Sequence, residues 1–354
     1  MKLNKFFMLG LAGLAFAACS NNDEAEEAFV KEGKQVTVTI ATGNFGTRAT
    51  DAWTTEKTIS VDKPKIYFLD KDENVVEVRD AKVGEETYHK VATSVTKIAA
   101  TANCELTVAK GDSWKEIMDH KLNVADYMVA ASVPLSTSVA ELLPTGGNDN
   151  EDDHSYPVYK AEITLSTPLS RIELSGNLTC TNLGTSAYEQ LQLICVGVNG
   201  ANTKFTLAGD GSDAVMNTND ATGFPSDAIP TQFYDEVTTP TLTTTDGVAL
   251  GTSYGYTIKG KPEQLLLKFD TEFKNPVTEG FIVYDPAYLK IVGFKDAATK
   301  ADVTVEDGYI YQITNLEFTE EDLTSLDDQK YICVTATVNV KPWEIQAVIP
   351  EYGK

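Results

Sequence analysis

Apolar and polar residues alternate with a period of two along much of this chain. Val36, Val38 and Ile40 are separated by glutamine and threonine residues, and residues 331–341 and 343–349 show the same pattern. Such alternation places successive side chains on opposite faces of a β-strand, one of them buried. Many short segments of this kind, separated by turn-forming residues, predict an all-β fold.

Helical patterns are few. Residues 112–118 can start one short helix, and residues 138–143 have capping-box spacing and end at Pro144. Many short strands with rare helices favour two tandem β-sandwich domains. We therefore expect an all-β protein with a few short helices.

The segment 146–153 is polar, acidic and rich in glycine. This composition is typical of an inter-domain linker or of a long surface loop. A boundary near residue 155 would give an N-terminal domain (49–155) and a C-terminal domain (156–354), both of ordinary domain size.

The N-terminus begins with Lys2 and Lys5, continues with the apolar stretch 6–18 and reaches Cys19 directly after small residues. This order predicts a secretory signal over residues 1–18, because the stretch is shorter than the roughly 20 residues that span a bilayer. The cysteine position resembles a bacterial lipoprotein signal, which implies lipidation of Cys19 by lipoprotein processing enzymes. An ordinary signal followed by a chance cysteine is the alternative.

The acidic residues at 23–27 resemble the surface-export signal of Bacteroidia lipoproteins, and they also suit a solvated tether. Both interpretations make residues 19–48 a tether and propeptide. The formal net charge of the whole chain is −23, so its surface repels nucleic acid and anionic lipid. Nucleic acid is therefore excluded as a partner.

Motifs that carry chemistry are missing from the sequence. There is no nucleophile elbow, zinc-protease helix, phosphate loop or dinucleotide fingerprint. We predict no enzyme activity, no cofactor and no metal site. Four cysteines besides Cys19 lie in strand-like runs, which favours buried thiols and leaves one disulfide open; they are Cys104, Cys180, Cys195 and Cys333.

Two features near the ends suggest function. Arg48 lies between small residues, after the first alternating strand and before the first domain, where a protease could reach it. The C-terminal segment of about 331–354 alternates like a strand on both sides of Pro342. A loop arginine and an ordinary terminal strand paired within its own domain remain the alternatives.

Several ordered motifs together resemble the fimbrillins of the Bacteroidia, the subunits of type V pili. They are the lipoprotein signal, the Thr-Arg-Ala site at 47–49, the segments 127–134 and 168–174, and the terminal motif at 338–343. The resemblance covers the whole length and implies transthyretin-like β-sandwich domains.

It also implies a mechanism. An arginine-specific protease cuts between Arg48 and Ala49 and removes the strand that carries Val36, Val38 and Ile40. The tail of a neighbouring, identical or related subunit then fills the vacated groove. The donor residues in that tail are Trp343, Ile345, Ala347 and Ile349. The product is a fimbrium at the outer membrane, which adheres to a host protein or glycan.

Three other functions stay open at this point. A surface glycan-binding lipoprotein would keep Cys19 and need an exposed aromatic platform, for which Trp53 and Trp114 are the candidates. An unprocessed pilus anchor or accessory subunit would keep its N-terminal segment. A hydrolase is the third alternative.

Overall fold

A computed structural model describes residues 33–42, 58–129, 132–151, 154–219, 221–274, 282–296, 301–328, 332–342 and 344–347. This part of the chain is built almost entirely from strands, so the predicted all-β class is confirmed. The strands are β1 (Lys34–Thr42), β2 (Thr58–Val61), β3 (Lys65–Leu69), β4 (Val75–Asp80), β5 (Gly84–Val91), β6 (Lys97–Ala102), β7 (Lys121–Asn123), β8 (Leu135–Ser136), β9 (Ala140–Glu141), β10 (Leu143–Glu151), β11 (His154–Leu165), β12 (Ser170–Leu174), β13 (Asn177–Cys180), β14 (Tyr188–Asn199), β15 (Ala201–Thr206), β16 (Gly211–Val215), β17 (Tyr234–Glu236), β18 (Thr241–Leu242), β19 (Val248–Ala249), β20 (Tyr254–Ile258), β21 (Gln264–Phe273), β22 (Ala287–Asp296), β23 (Asp302–Val303), β24 (Tyr309–Phe318), β25 (Ile332–Pro342) and β26 (Glu344–Ala347).

Helical structure is short wherever the chain is described. The predicted helix at 112–118 is confirmed as α1 (Trp114–Met118), and 3-10 turns occur at Val124–Tyr127, Thr231–Phe233 and Glu320–Asp322. The predicted helix at 138–143 is wrong, because this segment contributes β9 and the start of β10. Pairing of β9 with β6 supplies tertiary contacts, whereas one isolated helical turn is only marginally stable.

The acidic segment 146–153 is neither a free linker nor an irregular loop over the part described. Leu143–Glu151 forms β10, which pairs with β11 and meets it at Glu151 opposite His154. Within the described residues β10 lies at the edge of its sheet, and acidic residues and a proline on such a strand disfavour pairing with other chains. The predicted boundary near residue 155 falls at the start of β11, and β11 continues the N-terminal sheet to Leu165. The division into two domains stays a prediction.

The N-terminal half is a sandwich of two sheets. One has the order β10-β11-β1-β5, and the other has the order β4-β3-β6-β8 with β9 added beside β6. The rings of Phe68 in β3 and Tyr88 in β5 meet edge to face with centroids 5.3 Å apart, so the two sheets face each other. Helix α1 covers the outer face of the second sheet, where Trp114 packs on Tyr67 at 5.1 Å.

The C-terminal half contains one large sheet in the order β17-β14-β21-β22-β25-β24-β12-β20. Its two ends meet, because the Tyr256 hydroxyl in β20 lies 2.9 Å from the Val196 carbonyl oxygen in β14 and 2.9 Å from Asp235 Oδ2. The sheet therefore folds over on itself into two layers. Strand β25 lies in its middle, parallel to β22 and antiparallel to β24.

A small third sheet joins the halves. Strand β7 from the N-terminal half pairs with β15, which also pairs with β16. Phe205 in β15 is fully buried, and its ring meets Tyr127 edge to face at 5.8 Å. The Ala208 amide also donates to the Met118 carbonyl oxygen at 3.0 Å. The halves are thus connected by strand pairing and aromatic packing as well as by the chain itself.

Replacing Phe205 by alanine tests this junction. We expect the free energy of unfolding to fall by about 3–5 kcal/mol, the usual cost of a large buried aromatic side chain. Lys204→Ala is the matched control on the neighbouring residue, whose ion pair with Asp213 is half exposed, and it should cost about 1 kcal/mol or less. Urea denaturation measures both, and equal losses would contradict the junction described here.

Candidate functional site

Strand β1 is an internal strand of the N-terminal sandwich. It runs parallel to β11 and antiparallel to β5, with Val36 opposite both Tyr159 and Tyr88. Val36, Val38 and Ile40 are 0%, 0% and 1% exposed. The predicted alternation is therefore confirmed, and β1 closes the gap between two strands that have no direct pairing with each other.

The first residue of β1 breaks the apolar pattern. Lys34 is only 5% exposed, and its ammonium donates to the Val95 carbonyl oxygen while lying 4.5 Å from the centre of the Tyr159 ring. Burial lowers the pKa of Lys34, because a low dielectric disfavours the charged form. Sequence reasoning missed this residue, although its position two residues before Val36 places it on the buried face.

The other face of β1 is more open. The Thr37 and Thr87 hydroxyl oxygens lie 3.1 Å apart across the β1–β5 pair. Thr87 itself is exposed. The two faces therefore differ in chemistry: the inner one is apolar after Lys34, and the outer one is polar.

The C-terminal segment lies in two places. Residues 332–342 form β25 in the middle of the C-terminal sheet, as the ordinary-strand alternative predicts for that part. After Trp343, β26 runs parallel to β2 in the N-terminal half, with Ile345 opposite Ile59 and Ala347 opposite Val61. Ile59 belongs to the same core as Val36 and Val38.

Several predicted site residues lie outside the described ranges. They are Cys19, Arg48, Ala49, Trp343 and Ile349. Arg48 belongs to the segment 43–57 between β1 and β2. The sequence contains three arginines, and the other two, Arg79 and Arg171, lie within the paired strands β4 and β12.

The cysteines whose side chains are described are free thiols: Cys104, Cys180 and Cys195. Burial raises the pKa of Cys104 and of Cys180 to about 11. Burial likewise raises the pKa of Cys195 to about 12. Such thiols are protonated at neutral pH and are poor nucleophiles. A cleft of about 600 Å³ beside Cys104 is lined by side chains of both charges, among them Lys63, Lys65 and Glu105.

Three further features bear on function in the described ranges: a metal site, a membrane-spanning helix and an aromatic platform for a sugar. No cluster of three or more His, Cys, Asp or Glu side chains there is arranged to hold a metal ion. No described helix is long and apolar enough to cross a membrane. Trp114 is 4% exposed and its ring packs on that of Tyr67, so it does not offer a platform for a sugar. The other candidate, Trp53, lies outside the described ranges.

Comparison with known proteins gives a result at the level of structure. No protein-family model matches the sequence, and no curated protein sequence matches it. A fimbrilin from Porphyromonas gingivalis is similar in structure, with a TM-score of 0.53 at 12% identity, covering 89% of this chain and 99% of that one. The chain has the fold of this fimbrilin.

Two further solved structures show the same likeness. A proposed cell adhesion protein from Bacteroides eggerthii has a TM-score of 0.57 at 14% identity over 90% of this chain and 98% of that one. Another, from Parabacteroides distasonis, has a TM-score of 0.52 at 12% identity over 90% and 98%. The resemblance to fimbrillins that the sequence motifs indicate is confirmed at the level of the fold.

The buried ammonium of Lys34 gives a prediction about pH. Because its pKa is lowered in the folded chain, the unfolded chain binds more protons between that lowered value and the ordinary lysine value. The contribution of Lys34 to the free energy of unfolding therefore rises as pH increases through that window. The Lys34→Met variant lacks the ammonium. The free energy of unfolding of the unmodified chain should therefore increase relative to that of this variant as pH approaches 10.5.

Urea denaturation at a series of pH values measures the difference. Lys160→Met on the solvent face of β11 is the control for loss of one lysine and should follow the unmodified chain. A constant difference between the unmodified chain and Lys34→Met over this window would contradict a buried ammonium.

Proposed function

We propose that this protein is the stalk subunit of a surface fimbrium, activated by cleavage after Arg48 and polymerised by donor-strand exchange. The observation that carries the proposal is the position of β1. It is an internal strand of the N-terminal sandwich, yet only residues 43–57 connect it to the rest of the chain. One cut in that segment would separate a core strand from the fold that it completes.

The groove left by β1 would be a specific binding site. Strands β5 and β11 would each present unpaired N–H and C=O groups, which bind an added strand by ladder hydrogen bonds. Three large apolar side chains would lose their burial, worth about 5–9 kcal/mol as an upper bound. Both terms favour refilling of the groove by another strand of the same alternation.

The tail of a second copy has that alternation and a suitable attachment. Strand β26 pairs only with the four-residue strand β2 in the described part of the chain, whereas β25 before it is bonded on both sides. A tail that leaves β25 could therefore enter a neighbour while β25 stays in place. The contact joins different surfaces of two copies, so it propagates head to tail into a filament.

The N-terminal segment would deliver the precursor. Lipidation of Cys19 by lipoprotein processing enzymes would hold it at the outer membrane, and an arginine-specific protease would then release it together with β1. Arg48 suits this role better than Arg79 or Arg171, because a strand held in a sheet does not fit a protease cleft. The filament would support adhesion to a host protein or glycan.

Cleavage after Arg48 can be tested by identifying the first residue of the mature surface protein. In Arg48→Ala the mature chain beginning at Ala49 should be absent and the acylated precursor should accumulate. Mass spectrometry of the surface protein distinguishes the two species. Arg48→Lys keeps the charge and should also block cleavage by an arginine-specific protease. Recovery of an acylated Cys19 as the final form of the unmodified protein would contradict the proposal and favour an anchored subunit.

Deleting residues 343–354 tests the donor. This deletion leaves β25 complete, so the subunit should fold and be cleaved but form no polymer. Electron microscopy and size-exclusion chromatography of the cleaved protein measure assembly. Filaments of normal length from the deleted chain would rule out donation by this tail.

A further inference from the structure

The buried face of β1 and the tail match position by position. The four buried positions of β1 are two residues apart: Lys34, Val36, Val38 and Ile40. Four apolar residues of the tail have the same spacing: Trp343, Ile345, Ala347 and Ile349. Aligning the two sets places an isoleucine on Val36, a smaller alanine on Val38 and an identical residue on Ile40. The first pair is the unusual one, because it aligns a tryptophan with a buried lysine.

The surroundings of Lys34 suit an indole. The Val95 carbonyl oxygen accepts a hydrogen bond from the lysine, and the indole N–H of tryptophan is also a donor. The Tyr159 ring lies 4.5 Å from the ammonium, and an aromatic ring can stack on it or meet its edge. Both side chains are long, so an indole would enter space that the lysine side chain already occupies, and its greater width would require small shifts of the neighbouring side chains.

We propose that Trp343 of the incoming tail occupies the site of Lys34, donates its indole N–H to the Val95 carbonyl oxygen and packs on Tyr159, and thereby fixes the register of the donor strand. This inference rests on the proposed donor-strand function and specifies its binding site. It also favours replacement of β1 by the tail over the reverse exchange. Burying an ammonium carries a desolvation cost that burying a hydrogen-bonded indole does not.

A register in which the tail is shifted by two residues toward Ile40 fits less well. Trp343 would then replace Val36, which is 0% exposed, and a tryptophan in a site shaped for valine overpacks the core. Ala347 would replace Ile40 and leave a cavity. Pro342 would also enter the β1–β11 ladder at Gln35, where its missing N–H costs a hydrogen bond. In the proposed register Pro342 aligns with Gly33, before the first residue of the β1–β11 ladder. A Cβ at that position lies 3.2 Å from Lys90 Cα, so the proline needs a small backbone shift there but costs no ladder hydrogen bond.

Disulfide trapping reads the register directly. The acceptor is the chain lacking residues 343–354, with Cys104→Ser and Thr87→Cys. It is folded with its N-terminal segment and β1 still attached, and is then cleaved after Arg48 by an arginine-specific protease. The donor is a peptide of residues 340–354. Because Thr37 lies opposite Thr87, the proposed register puts Gln346 opposite that cysteine. The two-residue shifts put Glu344 or Val348 there instead.

We expect the Gln346→Cys peptide to form the disulfide at least about tenfold faster than the Glu344→Cys and Val348→Cys peptides, which are its matched controls on the same face of the tail. Preferential trapping of either control, or equal trapping of all three, would overturn the proposed register while leaving donor-strand binding intact. If the unmodified peptide does not bind the cleaved acceptor, the proposed function fails as well.

A double-mutant cycle tests the contact between Trp343 and Tyr159. Replacing Trp343 by leucine in the peptide should raise the Kd for the unmodified acceptor about two- to tenfold more than for a Tyr159→Leu acceptor, the range of an aromatic pair. Ile345→Leu in the peptide is the control and should give the same ratio with both acceptors. Additive effects of the Trp343 and Tyr159 substitutions would overturn the contact, since the indole would then pack elsewhere.

Discussion

The N-terminal sandwich depends on the two ladders that β1 makes with β5 and β11. These strands have no direct pairing with each other, so β1 supplies hydrogen bonds to both and fills the core between them. Its inner side chains are among the most deeply buried in the described chain. A strand with this position is costly to lose, and for that reason the proposed donor-strand exchange would give its slot to another strand of the same alternation.

In the proposed filament, paired strands would connect the donated tail to the N-terminal sandwich of the same subunit. Strand β25 is bonded by β22 and β24, so a tail leaving its end is anchored in the middle of a sheet. The β7–β15 pair and the buried Phe205 then connect the C-terminal half to the N-terminal half. Force along a filament would thus pass through paired strands in each subunit.

Period-two alternation was enough to predict the all-β class and the buried face of β1, because burial on one side of a strand leaves a local signal. Lys34 was missed because a buried ammonium depends on a carbonyl from Val95 and a ring from Tyr159, both distant in sequence. The helix predicted at 138–143 was wrong for a related reason. Strand β9 in this segment pairs with the distant strand β6, and that pairing outweighs the local capping-box preference for a helix. The pairing of β26 with β2 likewise joins segments that are far apart in the sequence and has no local signature.

The central claim is that the slot of β1 changes occupant when subunits assemble. Electron cryomicroscopy of the assembled filament, at a resolution that distinguishes side chains, tests this claim most directly. Our account predicts density for residues 343–349 of a neighbouring copy between β5 and β11, with the indole against Tyr159. Density for residues 34–42 of the same chain in that slot would contradict it.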